Sequence, residues 1–461
     1  MRGEYTLKTV ITIDPITRIS GHLSIEVTIE KNVITNAKSS GVLFRGFETM
    51  LKSRPPLDSI YFTERICGIC STSHAIVASL ALEDALKISP KDNDAKIRNF
   101  MHGCDFLQNS IRQTCLYVFP DFVNISPSED SVNSTFRLDK MSTEKLREVY
   151  INALKFSRIT HDMLAILGGK APHTHGVFVG GTTANMTAST VIRLKSMLLG
   201  VHEFISNEMI ESIYIISKYY SEYFKIGKGT DNLLTFGLFN DLQDKNLAYT
   251  YPTVSINGKK SNLDMTKISE SVYSSWYSDG KVDLNKPNAY TFIKAPRYDG
   301  AVVQVGPIAR MILSGNYENK ISTMDRLITR VLEAKKISGT MLKFLDSILP
   351  INTSQQQYIV PETAKGIGAV DAIRGALAHF VSIENSVIEN YDIITPSAWN
   401  LSPIDEHSRP GALESALIGT HIEDIKDPVE IGRIVRSFDP CVSCATHVVT
   451  EHNEPFYIEI M

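Results

Sequence analysis

The chain has 461 residues, 43% of them hydrophobic and 21% charged, with a formal net charge of −4. That length exceeds a typical single domain and supplies enough apolar surface for a large core. The mildly acidic balance gives no reason to expect nucleic acid or an anionic membrane surface as a partner, and no apolar run reaches the roughly 18 residues of a membrane span.

Residues 8–45 read as β structure. Thr9 to Ile13, His22 to Ile29 and Val33 to Ala37 alternate or are β-branched, and Lys31-Asn32 marks a turn. Pro55-Pro56 breaks the next segment. Ala75 to Leu86 is Ala/Leu-rich with apolar residues on several faces, as in a buried helix. Ile97 to Val118 predicts a second helix, and Ser142 is the expected cap of a third running toward Leu167. A glycine-rich loop from Gly168 to Gly181 follows. Helical spacing returns over 188–224 and 307–349, and 225–305 carries short β-like runs such as Tyr251 to Ile256. The expected fold is α+β and predominantly helical: a long-helix bundle core with peripheral mixed β-sheet at the N-terminal end and around 355–395.

Six cysteines are present: Cys67, Cys70, Cys104, Cys115, Cys441 and Cys444. The eleven-residue spacing of Cys104 and Cys115 fits no ligand pair, and core packing is the expectation for both. The other four form two CxxC pairs, each able to turn two sulfurs toward one point. With no secretion signal over residues 1–20, the pattern points to a metal or redox site more than to disulfides. Spacing alone leaves a catalytic metal, a structural four-cysteine zinc site and a disulfide or core role open. Thiolates suit zinc, iron, copper(I) and nickel alike.

The words around the pairs are more specific. Arg65-Ile66-Cys67-Gly68-Ile69-Cys70-Ser71-Thr72-Ser73-His74 and Asp439-Pro440-Cys441-Val442-Ser443-Cys444-Ala445-Thr446-His447 resemble the two signature motifs of nickel–iron (NiFe) hydrogenase large subunits. Asp14 to Ile19 with Gly21-His22, Phe44 to Glu48, Gly168 to His173, Arg374 to Leu377 and Pro396 to Asn400 are similar to further family segments, in the family's order, between about residues 10 and 447.

The resemblance implies a catalytic subunit that splits H2 reversibly and heterolytically into two protons and two electrons. Nickel would be held by Cys67, Cys70, Cys441 and Cys444, with Cys70 and Cys444 bridging to an iron that carries two cyanides and one carbon monoxide. Arg374 would face the open side of the cluster, and Pro396 and Ser397 would line the cyanides. His74 would hydrogen-bond a cysteine sulfur, and Asp439 would pair with Arg374 or its neighbours. Glu48, the Ile393 carbonyl and His447 would bind magnesium. The chain holds no further cysteine set for iron–sulfur clusters, so electrons would leave through an iron–sulfur small subunit.

Residues 1–447 would form one large catalytic domain. The tail 448–461 would be a propeptide removed after His447 by a maturation endopeptidase once nickel-insertion proteins have loaded the site. The compartment expected is the cytoplasm, or a membrane-associated complex held through partner subunits. An H2-sensing regulatory subunit is the alternative, against which the tail argues, and a non-catalytic four-cysteine metal scaffold is the residual one.

Three positions depart from the family pattern. Ser20 stands where a glutamate passes protons to and from a nickel thiolate, and a serine hydroxyl has no useful acidity near neutral pH. Ile373 precedes Arg374 where proline is frequent. Asn109 takes the place of an aspartate that steadies the arginine.

Overall fold

The β-branched alternation at the N-terminus closes a three-stranded antiparallel sheet of Lys8–Ile13, Leu23–Glu30 and Val33–Gly41. In this computed structural model the described residues are 8–126, 135–278, 281–318, 320–351 and 356–446. A second antiparallel sheet joins Thr363–Ala372, Gly375–Glu384 and Val387–Ile394 in sequence order. Along Gly375–Glu384, Leu377, Val381 and Ile383 face the largest core while Ala376 and Ala378 face another, so this strand is buried on both sides. That is the period-two division expected of a pleated strand.

The Ser71–Leu86 helix lies flat on the first strand of that sheet. Gly366 and Gly368 permit the contact. A Cβ on either would stand 2.1 Å from a helix carbonyl, that of Ala81 or Val77. Backbone meets backbone here, and the helix answers with Ala75, Ala78, Ala81 and Ala85, all buried.

The Asp92–Ile111 helix packs on the Ser71 helix, and Lys140–Gly168 and Thr323–Ser347 pack on the Asp92 helix in turn. The Asp92 helix runs into a wider π-helical stretch at Arg112–Val118, which keeps the chain helical through the predicted 97–118 segment. Asp139, not Ser142, caps the Lys140 helix: its Oδ1 accepts from the Ser142 N–H at 2.8 Å. The segment predicted over 307–349 is two helices, because the chain turns at Gly315 (φ 72°) and restarts at the Ser322 cap.

Helix accounts for 44% and strand for 21%. The expectation of a predominantly helical bundle with peripheral sheet is therefore corrected to a mixed α/β body. The central strand of the 363–394 sheet is part of the core, being buried on both faces, while the strands on either side of it keep exposed positions. No helix of the described residues is long and apolar enough to cross a membrane.

Candidate metal centre

The helix Asp58–Glu64 ends just before the first cysteine pair. Arg45 fastens the exit, donating to the carbonyls of Ile66 and Arg65 at 2.5 and 2.6 Å, with its guanidinium over the Phe47 ring. The Cys67–Cys70 turn then leads into the Ser71 helix, and Ile69 N–H donates to Cys67 Sγ at 3.3 Å.

The second pair follows the Val429–Ser437 helix. Asp439 takes a left-handed conformation (φ 54°), one that aspartate tolerates better than most residues. Val442–Ala445 then forms a single helical turn between two cores. Val442 and Ala445 pack beneath the N-terminal sheet, while Cys441 and Cys444 join Cys67 and Cys70 in the largest core.

The four sulfurs lie within 4.8 Å of one another, and all four residues are buried. Cys67 and Cys441 Sγ are 3.4 Å apart, Cys70 and Cys444 3.3 Å, Cys441 and Cys444 2.9 Å. These separations are well beyond a disulfide bond, and all six cysteines are free thiols. Hydrogen bonding from Cys441 and its neighbours holds the Cys67 thiol well below its ordinary range, while burial and the adjacent sulfurs push Cys444 well above it. Four crowded sulfurs in a dry site cannot all be anionic without a cation among them. The donor set fits a soft metal.

Arg374 supplies a fixed positive charge beside the sulfurs. It occupies the tip of the hairpin in which Ala372 pairs with Gly375. Its Nε donates to the Asp439 carbonyl at 2.8 Å, and its Nη2 to Asp439 Oδ1 and Asn109 Oδ1, both at 2.9 Å. Asn109 Nδ2 closes the triangle on Asp439 Oδ2 at 2.7 Å. An aspartate at 109 could accept from Arg374 but could not donate to Asp439 unless protonated. Burial works against the arginine's charge, but Asp439 and the sulfurs of Cys441, Cys70 and Cys67 outweigh it, so its pKa is raised. Arg374 Nη1 is buried without a partner among the described residues, which fits an anionic group in the site.

The remaining predicted residues divide by location. Ser397 Oγ accepts from the Cys441 N–H at 3.0 Å, and Pro396 opens the short helix that carries it. Ser20 is adjacent too, but through its backbone: its N–H donates to the Pro440 carbonyl at 3.2 Å, and its carbonyl accepts from Val442 N–H at 2.8 Å. His74 is buried, and its Nδ1 contacts His379 Nε2 at 3.1 Å. Burial lowers its pKa to about 4.

Glu48 belongs to a separate polar cluster. Its Oε1 accepts from Ile393 N–H at 3.0 Å, so the Ile393 contact seen is made through the amide. Lys294 stands 3.7 Å from Glu48 and 3.4 Å from Glu270. Burial raises Glu48 to about 7 in spite of Lys294. His447 and the tail 448–461 lie outside the described residues.

Sequence reasoning missed His379 and Lys294. His379 had a signal, since it shares strand parity with Leu377 and Val381, which face the core that holds the cysteines. Lys294 had none, lying in the segment of short strands where no period stands out.

A buried tetrad of cysteines drawn from both ends of a mixed α/β chain, with an arginine fixed beside it, defines a thiolate-ligated metal enzyme. A family profile described as nickel-dependent hydrogenase matches residues 45–140, 133–321 and 312–447. The chain belongs to that family. It is 34% identical to the periplasmic NiFeSe hydrogenase large subunit of Desulfomicrobium baculatum, over 96% of this chain and 95% of the relative. It is 29% identical to the quinone-reactive Ni/Fe-hydrogenase large chain of Wolinella succinogenes, over 96% and 97%. The as-isolated Ni-Fe-Se hydrogenase from D. vulgaris Hildenborough superposes with a TM-score of 0.91 at 34% identity, over 96% of this chain and all of that one. Selenium in those names does not carry over to the tetrad, where all four positions are cysteine.

Proposed function

We propose that Cys67, Cys70, Cys441 and Cys444 hold nickel, that Cys70 and Cys444 also bridge to an iron bearing cyanide and carbon monoxide, and that the electrons of H2 leave through an iron–sulfur small subunit. The carrying observation is the gathering, within 4.8 Å, of four buried sulfurs drawn from positions 374 residues apart. The bound nickel–iron group supplies the redox chemistry of heterolytic H2 cleavage.

The chain's own residues do the rest. Arg374 holds a permanent charge at the site without a proton to lose. Asp439 and Asn109 fix its plane, and Ser397 anchors the Cys441 backbone. Pro396 and Ser397 line the cyanides. Glu48, Ile393 and His447 take magnesium, a reading supported by the buried carboxylate of Glu48 and by the family. Residues 1–447 act as one catalytic domain. A maturation endopeptidase removes 448–461 after nickel-insertion proteins have acted, and an intact mass ending at Met461 in active protein would sink that part. The complex sits in the cytoplasm, or on a membrane through its partners.

Metal analysis and infrared spectroscopy test the whole. Nickel together with iron, plus carbon monoxide and cyanide bands, is the expected result; zinc alone would overturn it.

Proton transfer at position 20 has its own test. Ser20 relays through its hydroxyl and water, so Ser20→Glu is expected to raise the rate of H/D exchange. An unchanged rate would place the limiting step elsewhere.

A further inference from the structure

The Lys8–Ile13 strand is the outer strand of the N-terminal sheet and, among the described residues, pairs on one side only, with Leu23–Glu30. Such an edge offers a row of amides and carbonyls to an added strand. Ile11 and Ile13 pack against the core beneath the sheet yet stay half-buried, and Val10 on the other face is 56% exposed. Along this edge runs a groove of about 610 Å3, walled by Ile11, Ile13 and Ile16. The same groove holds Arg18, Lys426, Arg433 and Arg436 against two carboxylates, Asp121 and Asp427. Arg18 and Arg436 share Asp121, and the Arg18 side chain is still 31% exposed. The groove is thus apolar at the strand and cationic beside it.

Residues 448–461 match both characters. They carry Glu451, Glu454 and Glu459 and no lysine or arginine. Phe456 to Met461 is a run as long as the edge strand, and Phe456, Ile458 and Ile460 recur with the period of a strand face. Pro455 stands just before it, where a strand tolerates proline. The place of exit agrees. A Cβ on Gly41 would stand 3.0 Å from Cγ2 of Thr446, the last described residue. Gly41 pairs with Leu23, and Ile25 with Ile13, so the chain leaves at the Ile13 end of the sheet. Crossing three strand spacings takes about 14 Å, and residues 447–456 reach about 33 Å when extended.

We propose that residues 456–461 add to the Lys8–Ile13 edge as a fourth, antiparallel strand until the tail is removed. The inference rests on the reading of 448–461 as a removable tail. Entering at the Ile13 end, the segment sets Phe456, Ile458 and Ile460 on the face of Ile11 and Ile13, and Tyr457 and Glu459 on the face of Lys8 and Val10. Glu451 and Glu454 lie in the connection, which passes the arginines of the groove. The chain is then held on both sides of the bond after His447, and that bond lies in an open connection that an endopeptidase can reach.

Hydrogen exchange at residues 8–13 tests this, in the full chain with its tail uncut and in the chain ending at His447. The alternate amides that Leu23–Glu30 does not take are expected to exchange about tenfold more slowly in the full chain. Ile458→Lys, which turns a charge toward Ile11 and Ile13, is expected to bring exchange back to that of the shorter chain. Equal exchange in the two chains would overturn the docking, since residues 1–7 or a second copy at this edge would protect both alike. Protection that survives Ile458→Lys would overturn it as well. Active protein with an intact mass ending at Met461 would refute removal of the tail but leave the exchange result standing.

Discussion

Glu64, three residues before Cys67, has no exposed surface, and its Oε1 has no partner among the described residues. Its Oε2 meets Arg65 at 2.8 Å. Burial nonetheless dominates, pushing the carboxyl from 4.5 to about 8. Asp105, held by the Thr72 hydroxyl and the Ser73 N–H, is likewise raised by burial, to about 8. A raised carboxyl binds more protons folded than unfolded. Its contribution to stability is complete below about pH 4.5 and is lost as pH climbs through 8. Glu64→Gln is therefore expected to flatten the decline of stability over pH 5–8 by up to about 1.4 kcal/mol per pH unit, close to one proton. Urea midpoints of the full chain across that range would show it, and a slope equal to the native one would refute it. Nothing in the local sequence distinguishes Glu64 from an exposed helix charge. The four cysteines, by contrast, were legible from spacing, and Asp439 and Arg374 from the words around them.

At the scale of elements, the hairpin that aims Arg374 depends on a glycine pair. Gly375 has φ 125°, and a Cβ there would stand 2.5 Å from Val305 Cγ2 and 2.6 Å from the Gly306 nitrogen. A Cβ on Gly306 (φ 108°) would in turn stand 2.8 Å from the Arg374 carbonyl oxygen. Gly375→Ala combines overpacking with left-handed strain, so the expected loss is about 3 kcal/mol, read as a lower urea midpoint. Turnover should fall as well, because the arginine tip must shift. Helical segments were legible here to within a few residues because their apolar periods are long. The breaks were not: the chain restarts at Ser322 and widens at Arg112 under tertiary contacts that no local window contains. The 363–394 sheet could be placed but not its depth, since its central strand, buried on both faces, lacks the alternation that marks a surface.

For the molecule as a whole, a metal held by both cysteine pairs cross-links the chain over 374 residues. Treated as a covalent loop closure, that constraint is worth about 6 kcal/mol of unfolded-chain entropy, in addition to the metal–ligand bonds themselves. Removal of nickel and iron is expected to lower the thermal midpoint by on the order of 10 °C. Scanning calorimetry of loaded and metal-free protein checks this, and coincident midpoints would mean that the sulfurs are held by the fold alone. The mixed architecture supports a large effect, because Cys441 and Cys444 ride on a single helical turn between two cores rather than on a long element.

The backbone pairing of Ser20 with Cys441 also sets an order in time. Translation makes the strap before the loop it receives, and Cys67 and Cys70 before Cys441 and Cys444. Until the second pair has been made, the first is a half-site with two of its four sulfurs. A truncation ahead of Pro440 would keep the strap, the hairpin and both helices around the first pair, and would hold that interval open indefinitely.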